Sequence, residues 1–179
     1  MLILVDQDGV LADFHAGFER AWRAAGHAIP AIPLERRKSF SLRDDYPAEW
    51  RAAVVETFTR EGFFRDLPPI PGAAHALREM LAQGHEVAIC TSPLLEYQHC
   101  VSEKYAWIER HLGADFIPRV VLTRDKTLVH GDVLIDDKPV IDGLRTPDWR
   151  HILYDQPYNR TVAGPRLTWA DWREKLGLG

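Results

Sequence analysis

Three short apolar runs in the sequence end in polar residues that could share one site. LILV (residues 2–5) runs into Asp6 and Asp8, HEVAIC (85–90) into Thr91 and Ser92, and VLI (133–135) into Asp136 and Asp137. Four carboxylates gathered in one place repel, since two unit charges roughly 4 Å apart cost about 4 kcal/mol at an effective dielectric near 20. A divalent cation removes that objection. With oxygen donors and neither thiolate nor imidazole at these positions, a hard ion is expected, Mg²⁺ ahead of Ca²⁺ or Mn²⁺. Mg²⁺ retains waters and commonly shares a phosphate with one or two carboxylates, so a phosphorylated substrate is the natural expectation.

Those residues can meet only if the runs are strands of one sheet. RVVL (119–122) and HILY (151–154) have the same brief, Val-, Ile- and Leu-rich character, and stretches of helical periodicity separate the runs. Residues 72–83 follow Pro71 and are closed by Gly84, and 96–111 and 169–176 read similarly. The expected fold is α/β: a Rossmann-like parallel sheet with helices on both faces, whose ligands bind beyond the carboxyl ends of the strands. Residues 15–70 differ in texture. Amphipathic segments, HAGFERAWRAAG and PAEWRAAVVETFTREG, are joined by the proline-bearing IPAIPLERRKSF and ended by LPPIPG. This predicts a small helical cap over 15–70, inserted after the first strand of a core formed by 1–14 and 71–179. The alternative is that these helices pack on the sheet as part of one core.

The totals agree with a globular domain of ordinary size. The chain has 179 residues, 46% hydrophobic and 27% charged, with a formal net charge of -4, outside the disordered and membrane classes. Nothing is basic enough to argue for a nucleic-acid duplex as partner. The first apolar run is too short for a secretory signal, and no stretch could cross a bilayer. Cys90 and Cys100, the only cysteines, suit neither a disulfide framework nor paired zinc ligands, so the default compartment is a reducing cytoplasm.

DQDGVLAD resembles the first motif of the haloacid dehalogenase-like superfamily, ICTS its second and LIDD its acidic fourth. More narrowly, DGVLADF, ICTSP, EKYAWIE, LTRDKT and LIDDKP, in that order over nearly the whole chain, resemble the 5'(3')-deoxyribonucleotidases. The resemblance implies a Mg²⁺-dependent phosphatase of deoxyribonucleoside monophosphates with a helical cap after the first motif, and carries over a homodimer. It makes Asp6 the nucleophile that forms an aspartyl-phosphate. Asp8 becomes the general acid for the leaving nucleoside and then the base for water. Such a pair needs one carboxylate ionised and the other protonated, so their environments must hold the two pKa values apart. Asp6, the carbonyl of Asp8 and Asp136 would hold the metal, with Asp137 orienting it from behind. Gly9 would let the backbone turn toward the phosphate, and Thr91 and Ser92 would donate to it. Of the two lysines at family positions, Lys104 is favoured for the phosphate and Lys126 for holding the acids.

Other residues have plainer readings. Asp13 caps the helix beginning near Phe14. The eight histidines show no metal spacing, the run Arg36-Arg37-Lys38 reads as a solvated face, and the six tryptophans as packing anchors. The chain departs from the family in base recognition: where an aromatic pair is usual it has Phe40-Ser41, and Phe58 stands where tryptophan is common. Phe14 and Phe40 would still offer a stacking platform. Competing functions are a phosphatase of another small ester, such as a sugar phosphate, and a silent nucleotide-binding protein on the same fold. Dehalogenase chemistry has no need of Asp8, and no P-loop spacing occurs.

Overall fold

A computed structural model of the chain describes residues 1–178. Six parallel strands form one sheet: β1 (Leu2–Val5), β2 (Glu86–Thr91), β3 (Val120–Leu122), β4 (Val133–Asp136), β5 (Arg150–Tyr154) and β6 (Arg166–Leu167), in the order β3-β2-β1-β4-β5-β6. The chain moves outward from β1 to β3, then returns to the other side of β1 and moves outward again. The strand order therefore reverses at β1 and β4, where an open sheet of this kind has a crevice beyond its carboxyl edge. The runs read as strands come within one residue of the observed elements; β6, only two residues long, has no periodicity to read.

Both faces of the central strands are covered, which is why LILV is an unbroken apolar run rather than an alternating one. Ile3 and Val5 face the larger cluster, joined by Ile89, Ile135 and Ile152. Five helices contribute to it: α1 (Phe14–Ala24), α2 (Arg51–Thr59), α3 (Ala73–Ala82), α4 (Tyr97–His111) and α5 (Trp172–Leu176). Leu4, Cys90 and Leu134 face the other way. They are closed by Trp149 with Val129 and Ile141, which lie in the connections around β4.

Local chemistry sets the helix ends. Asp13 accepts from the Ala16 amide at 2.9 Å, as an N-cap should. In α3, Ala73, Ala76, Leu77 and Met80 form the buried stripe. The 169–176 helix starts three residues later than its pattern suggests, because Asp171 folds back to accept from the Thr168 amide and hydroxyl. Between α1 and α2 the chain runs through short 3-10 turns at Leu34–Arg36, Leu42–Asp45 and Ala48–Trp50. Phe18, Trp22, Tyr46 and Val54 from this region are buried in the same apolar cluster as the sheet.

Candidate active site

The register of β1 and β4 brings the acids together. Val5 lies opposite Ile135, and the Asp6 amide donates to the Ile135 carbonyl at 2.9 Å, so Asp6 and Asp136 leave the sheet side by side. Carboxylate oxygens of Asp6, Asp136 and Asp137 lie within 4.8 Å of one another, all buried. Lys126, carried by the 3-10 turn Lys126–Leu128, places Nζ 2.5 Å from Asp136 Oδ2. The same Nζ stands 2.8 Å from Asp6 Oδ1, an ion pair.

Asp8 is two residues along, where a strand would have placed it on the face of Asp6, but the chain has already turned. The amides of Leu11 and Ala12 both donate to the Gln7 carbonyl at 2.8 Å. Gly9 permits this turn at φ +78°: a Cβ there would lie 2.2 Å from Asp137 Oδ2. The Gly9 amide itself donates to the Ala12 carbonyl, so its contribution is the close approach of backbone to Asp137. Lys104, from α4, donates to Asp8 Oδ2 at 2.5 Å and to Thr91 Oγ1 at 2.9 Å. It is 1% exposed and reaches Asp8 from beneath.

Four carboxylates thus face two ammonium groups. Asp8 Oδ1 and Asp137 Oδ1 are buried without a hydrogen-bond donor, and Asp6 Oδ1 has only the Lys126 ammonium beside it. Burial raises the pKa of Asp8 above the ordinary carboxylate range, opposed by Lys104 and reinforced by Asp6. Burial also lifts Asp136 to about 6, against the pull of Lys126, and lifts Asp137 well up, with Asp136 adding to the effect. Excess negative charge, orphaned oxygens and an all-oxygen donor set are what a hard divalent cation would relieve. The residues fit such an ion.

A cavity of about 350 Å³ opens over this cluster. Asp6, Asp8, Gly9, Thr91, Ser92, Lys126, Asp136 and Asp137 line it. Phe14, His15, Arg37, Phe40 and Phe58 line it too. Phe14 and Phe40 border the same space but rest on different neighbours. The Phe14 ring packs on Phe58, Phe63 and Phe64 at centroid distances of 5.7, 5.2 and 6.2 Å, whereas Phe40 meets Tyr158 at 6.2 Å.

Residues that sequence reasoning passed over hold the acids in place. The Tyr158 hydroxyl donates to Asp137 Oδ2. Asn159 donates to the Asp137 carbonyl at 2.9 Å, and Gln156 to the Gly9 carbonyl at 2.8 Å. The signal that singled out Asp6, Thr91 and Asp136, polar residues after an apolar run, would have reached this segment had it been applied to HILY. Arg37 departs from the solvated face expected of its run: it is 5% exposed, paired with Asp45 at 3.2 Å.

The sheet order, with acids following the first strand, a hydroxyl ending the second and acids at the end of the fourth, defines an α/β fold with a carboxylate site at its carboxyl edge. The fold agrees with a solved HAD family hydrolase from Deinococcus radiodurans, at a TM-score of 0.60 and 18% identity over 98% of this chain and 94% of that one. The family model described as 5' nucleotidase, deoxy (pyrimidine), cytosolic type C protein matches residues 1–178, and the chain belongs to that family. A Bordetella pertussis protein provisionally named 5'(3')-deoxyribonucleotidase is 56% identical, covering 98% of this chain and 95% of its own. The human cytosolic-type 5'(3')-deoxyribonucleotidase is 49% identical over 97% of this chain and 92% of its own length. The human mitochondrial 5'(3')-deoxyribonucleotidase is 43% identical over 97% and 81%. The chain is accordingly a phosphoric monoester hydrolase of the 5'-nucleotidase type. Among the described residues no helix is long and apolar enough to cross a membrane.

Proposed function

We propose that the protein hydrolyses deoxyribonucleoside monophosphates with Mg²⁺ through an aspartyl-phosphate on Asp6. The observation that carries this is the meeting of Asp6, Asp136 and Lys126 at one strand edge, with Asp8 on the next turn against Lys104. Asp6 and Asp136, with the Asp8 carbonyl, would hold the ion, which when bound neutralises charge on the phosphoryl oxygens.

The chain's own groups account for the proton and bond changes. A carboxylate oxygen of Asp6 attacks phosphorus as the ester P–O bond breaks, and Asp8 gives its proton to the departing nucleoside oxygen. Asp8, now ionised, takes a proton from water as that water attacks phosphorus; the bond to Asp6 breaks and phosphate is released. Opposed influences on Asp8 suit both halves. Burial favours its protonated form, and the Lys104 ammonium 2.5 Å away stabilises its ionised form. Thr91, Ser92 and Lys126 contact the phosphate, whereas Lys104, the lysine expected there from the sequence, does not line the cavity and holds Asp8 and Thr91 in register instead.

Residues 15–70 act as a cap over the core of 1–14 and 71–179, enclosing the nucleoside between Phe14, Phe40 and Phe58 and excluding water from the phosphorus. That Phe40 and Phe58, from 15–70, line the same cavity as the acids supports the division. A cytosolic location is supported by the cytosolic-type human relative.

The test is phosphate release from a panel of deoxyribonucleotides, ribonucleotides and sugar phosphates. Deoxyribonucleoside monophosphates should lead by kcat/KM; preference for a sugar phosphate would displace the substrate assignment. Asp6→Asn should lower kcat by more than about 10⁴-fold, and Asp8→Asn by about 10²- to 10⁴-fold with substrate still bound. Near-wild-type turnover in either variant would refute the roles given.

A further inference from the structure

We propose that Tyr158 is a positioning residue that couples the seating of the 37–45 segment to the orientation of Asp137, through the contact chain Arg37, Tyr158, Asp137. The proposal rests on the reading that the acid cluster holds a divalent cation.

The two oxygens of Asp137 have different surroundings. Oδ2 receives the Tyr158 hydroxyl, while Oδ1 is buried without a donor, and a carboxylate oxygen of Asp137 lies within 4.8 Å of one each from Asp6 and Asp136. A carboxylate turned in this way presents one oxygen to the cluster and cannot rotate without giving up the bond from tyrosine. The backbone is fixed as well: Asn159, fully buried, donates to the Asp137 carbonyl at 2.9 Å and the Tyr154 carbonyl at 2.8 Å. Asp137 stands behind Asp6 and Asp136, and outer groups that orient a metal site set the direction and basicity of its ligands; their loss typically weakens metal binding by about 10- to 100-fold.

The ring of the same tyrosine carries the 37–45 segment. Arg37 Cζ lies 4.2 Å from the Tyr158 centroid, and Phe40 meets the ring edge-on at 6.2 Å. Arg37 donates to the Ser39 and Phe40 carbonyls at 2.8 Å each and pairs with Asp45. Asp45 in turn accepts from the Lys38 and Ser39 amides at 3.1 and 3.0 Å. Residues 37–45 are thereby knitted into one unit resting on one aromatic face. The hydroxyl at the far end of that ring ends on Asp137, so a shift of the unit reaches the acid cluster through a single rigid side chain.

Tyr158→Phe keeps the ring and removes only the hydroxyl. Isothermal titration calorimetry with Mg²⁺ alone, together with kcat and KM, reads the result. The Mg²⁺ dissociation constant should rise about tenfold or more, with the metal-free protein still unfolding in one cooperative transition. Arg37→Lys keeps a charge for Asp45 but loses the planar fork. It should raise KM and also raise the Mg²⁺ dissociation constant by about two- to thirtyfold, although Arg37 touches none of the acids. The double variant should lose less than the product of the two. Unchanged Mg²⁺ binding in Tyr158→Phe, or an Arg37→Lys effect confined to KM, would overturn the coupling. If the wild-type protein binds no Mg²⁺, the cation reading itself fails and takes the proposal with it.

Discussion

Lys104 and Lys126 divide the work of charge compensation, and access to the cavity distinguishes them. Lys126 borders the cavity and bridges Asp6 and Asp136, whereas Lys104 is sealed under Asp8 and Thr91. The acids and their partners were legible because a carboxylate or hydroxyl directly after a buried run has few innocent explanations. Tyr158 and Arg37 were not, since a tyrosine in a polar turn and an arginine in a basic run have many. His15 shows the same limit. It is 7% exposed, neither ring nitrogen has a hydrogen bond, and Nε2 is 3.7 Å from Glu19 Oε1. Burial, then the charge of Arg37, holds its pKa below the usual histidine value of 6.5. As pH falls, the unfolded chain therefore takes up this proton before the folded one. Stability present above about pH 6.5 drains away below it, by at most about 1.4 kcal/mol per pH unit. His15→Gln should flatten the fall in urea midpoint between about pH 7.5 and 5.5 relative to wild type; parallel falls would show that His15 does not contribute.

At the scale of elements, α4 is unusual in turning charge inward: Glu103 and Lys104 share its buried side with Cys100, Trp107 and Ile108. Glu103 accepts from the amides of Gly62, Phe64 and Arg65 at 2.5, 3.0 and 3.4 Å. It thus fixes the chain as it comes back from α2, one residue before the lysine that fixes Asp8. Glu103→Ala would leave three amides short of an acceptor and should cost about 2–4 kcal/mol in chemical unfolding, with Glu103→Gln recovering part of it. A loss within about 0.5 kcal/mol would mean that the amides find other partners. Strands and long helices were readable because burial on two faces writes an unbroken apolar run into the sequence and burial of one stripe writes a helical period. The turns between α1 and α2 write none. Their geometry depends on contacts such as Arg37 with Asp45, and Tyr46 receiving the Ile32 amide at 2.9 Å.

For the molecule as a whole, the acid cluster is a site of self-repulsion that only the folded chain assembles. An ion that binds the folded state alone stabilises it by about 2.7 kcal/mol at one hundred times its dissociation constant. In a protein of this size that amounts to a rise of about 5–10 °C in Tm. Calorimetric scans in Mg²⁺ and in EDTA should differ by that margin, and Asp136→Asn should remove most of the difference; coincident scans would remove the metal from the scheme. The parallel sheet has a further consequence for how the protein is made. β1 is hydrogen-bonded on one side to β2 and on the other to β4, with Leu2 beside Glu86 and Ile3 beside Val133. During synthesis the strand bearing Asp6 leaves the ribosome long before either neighbour exists, and it must wait as an unpaired apolar segment. Pairings so distant in sequence close slowly and leave strand edges open to other chains. Nascent chains halted short of β4 should therefore be the ones that chaperones hold and proteases cut.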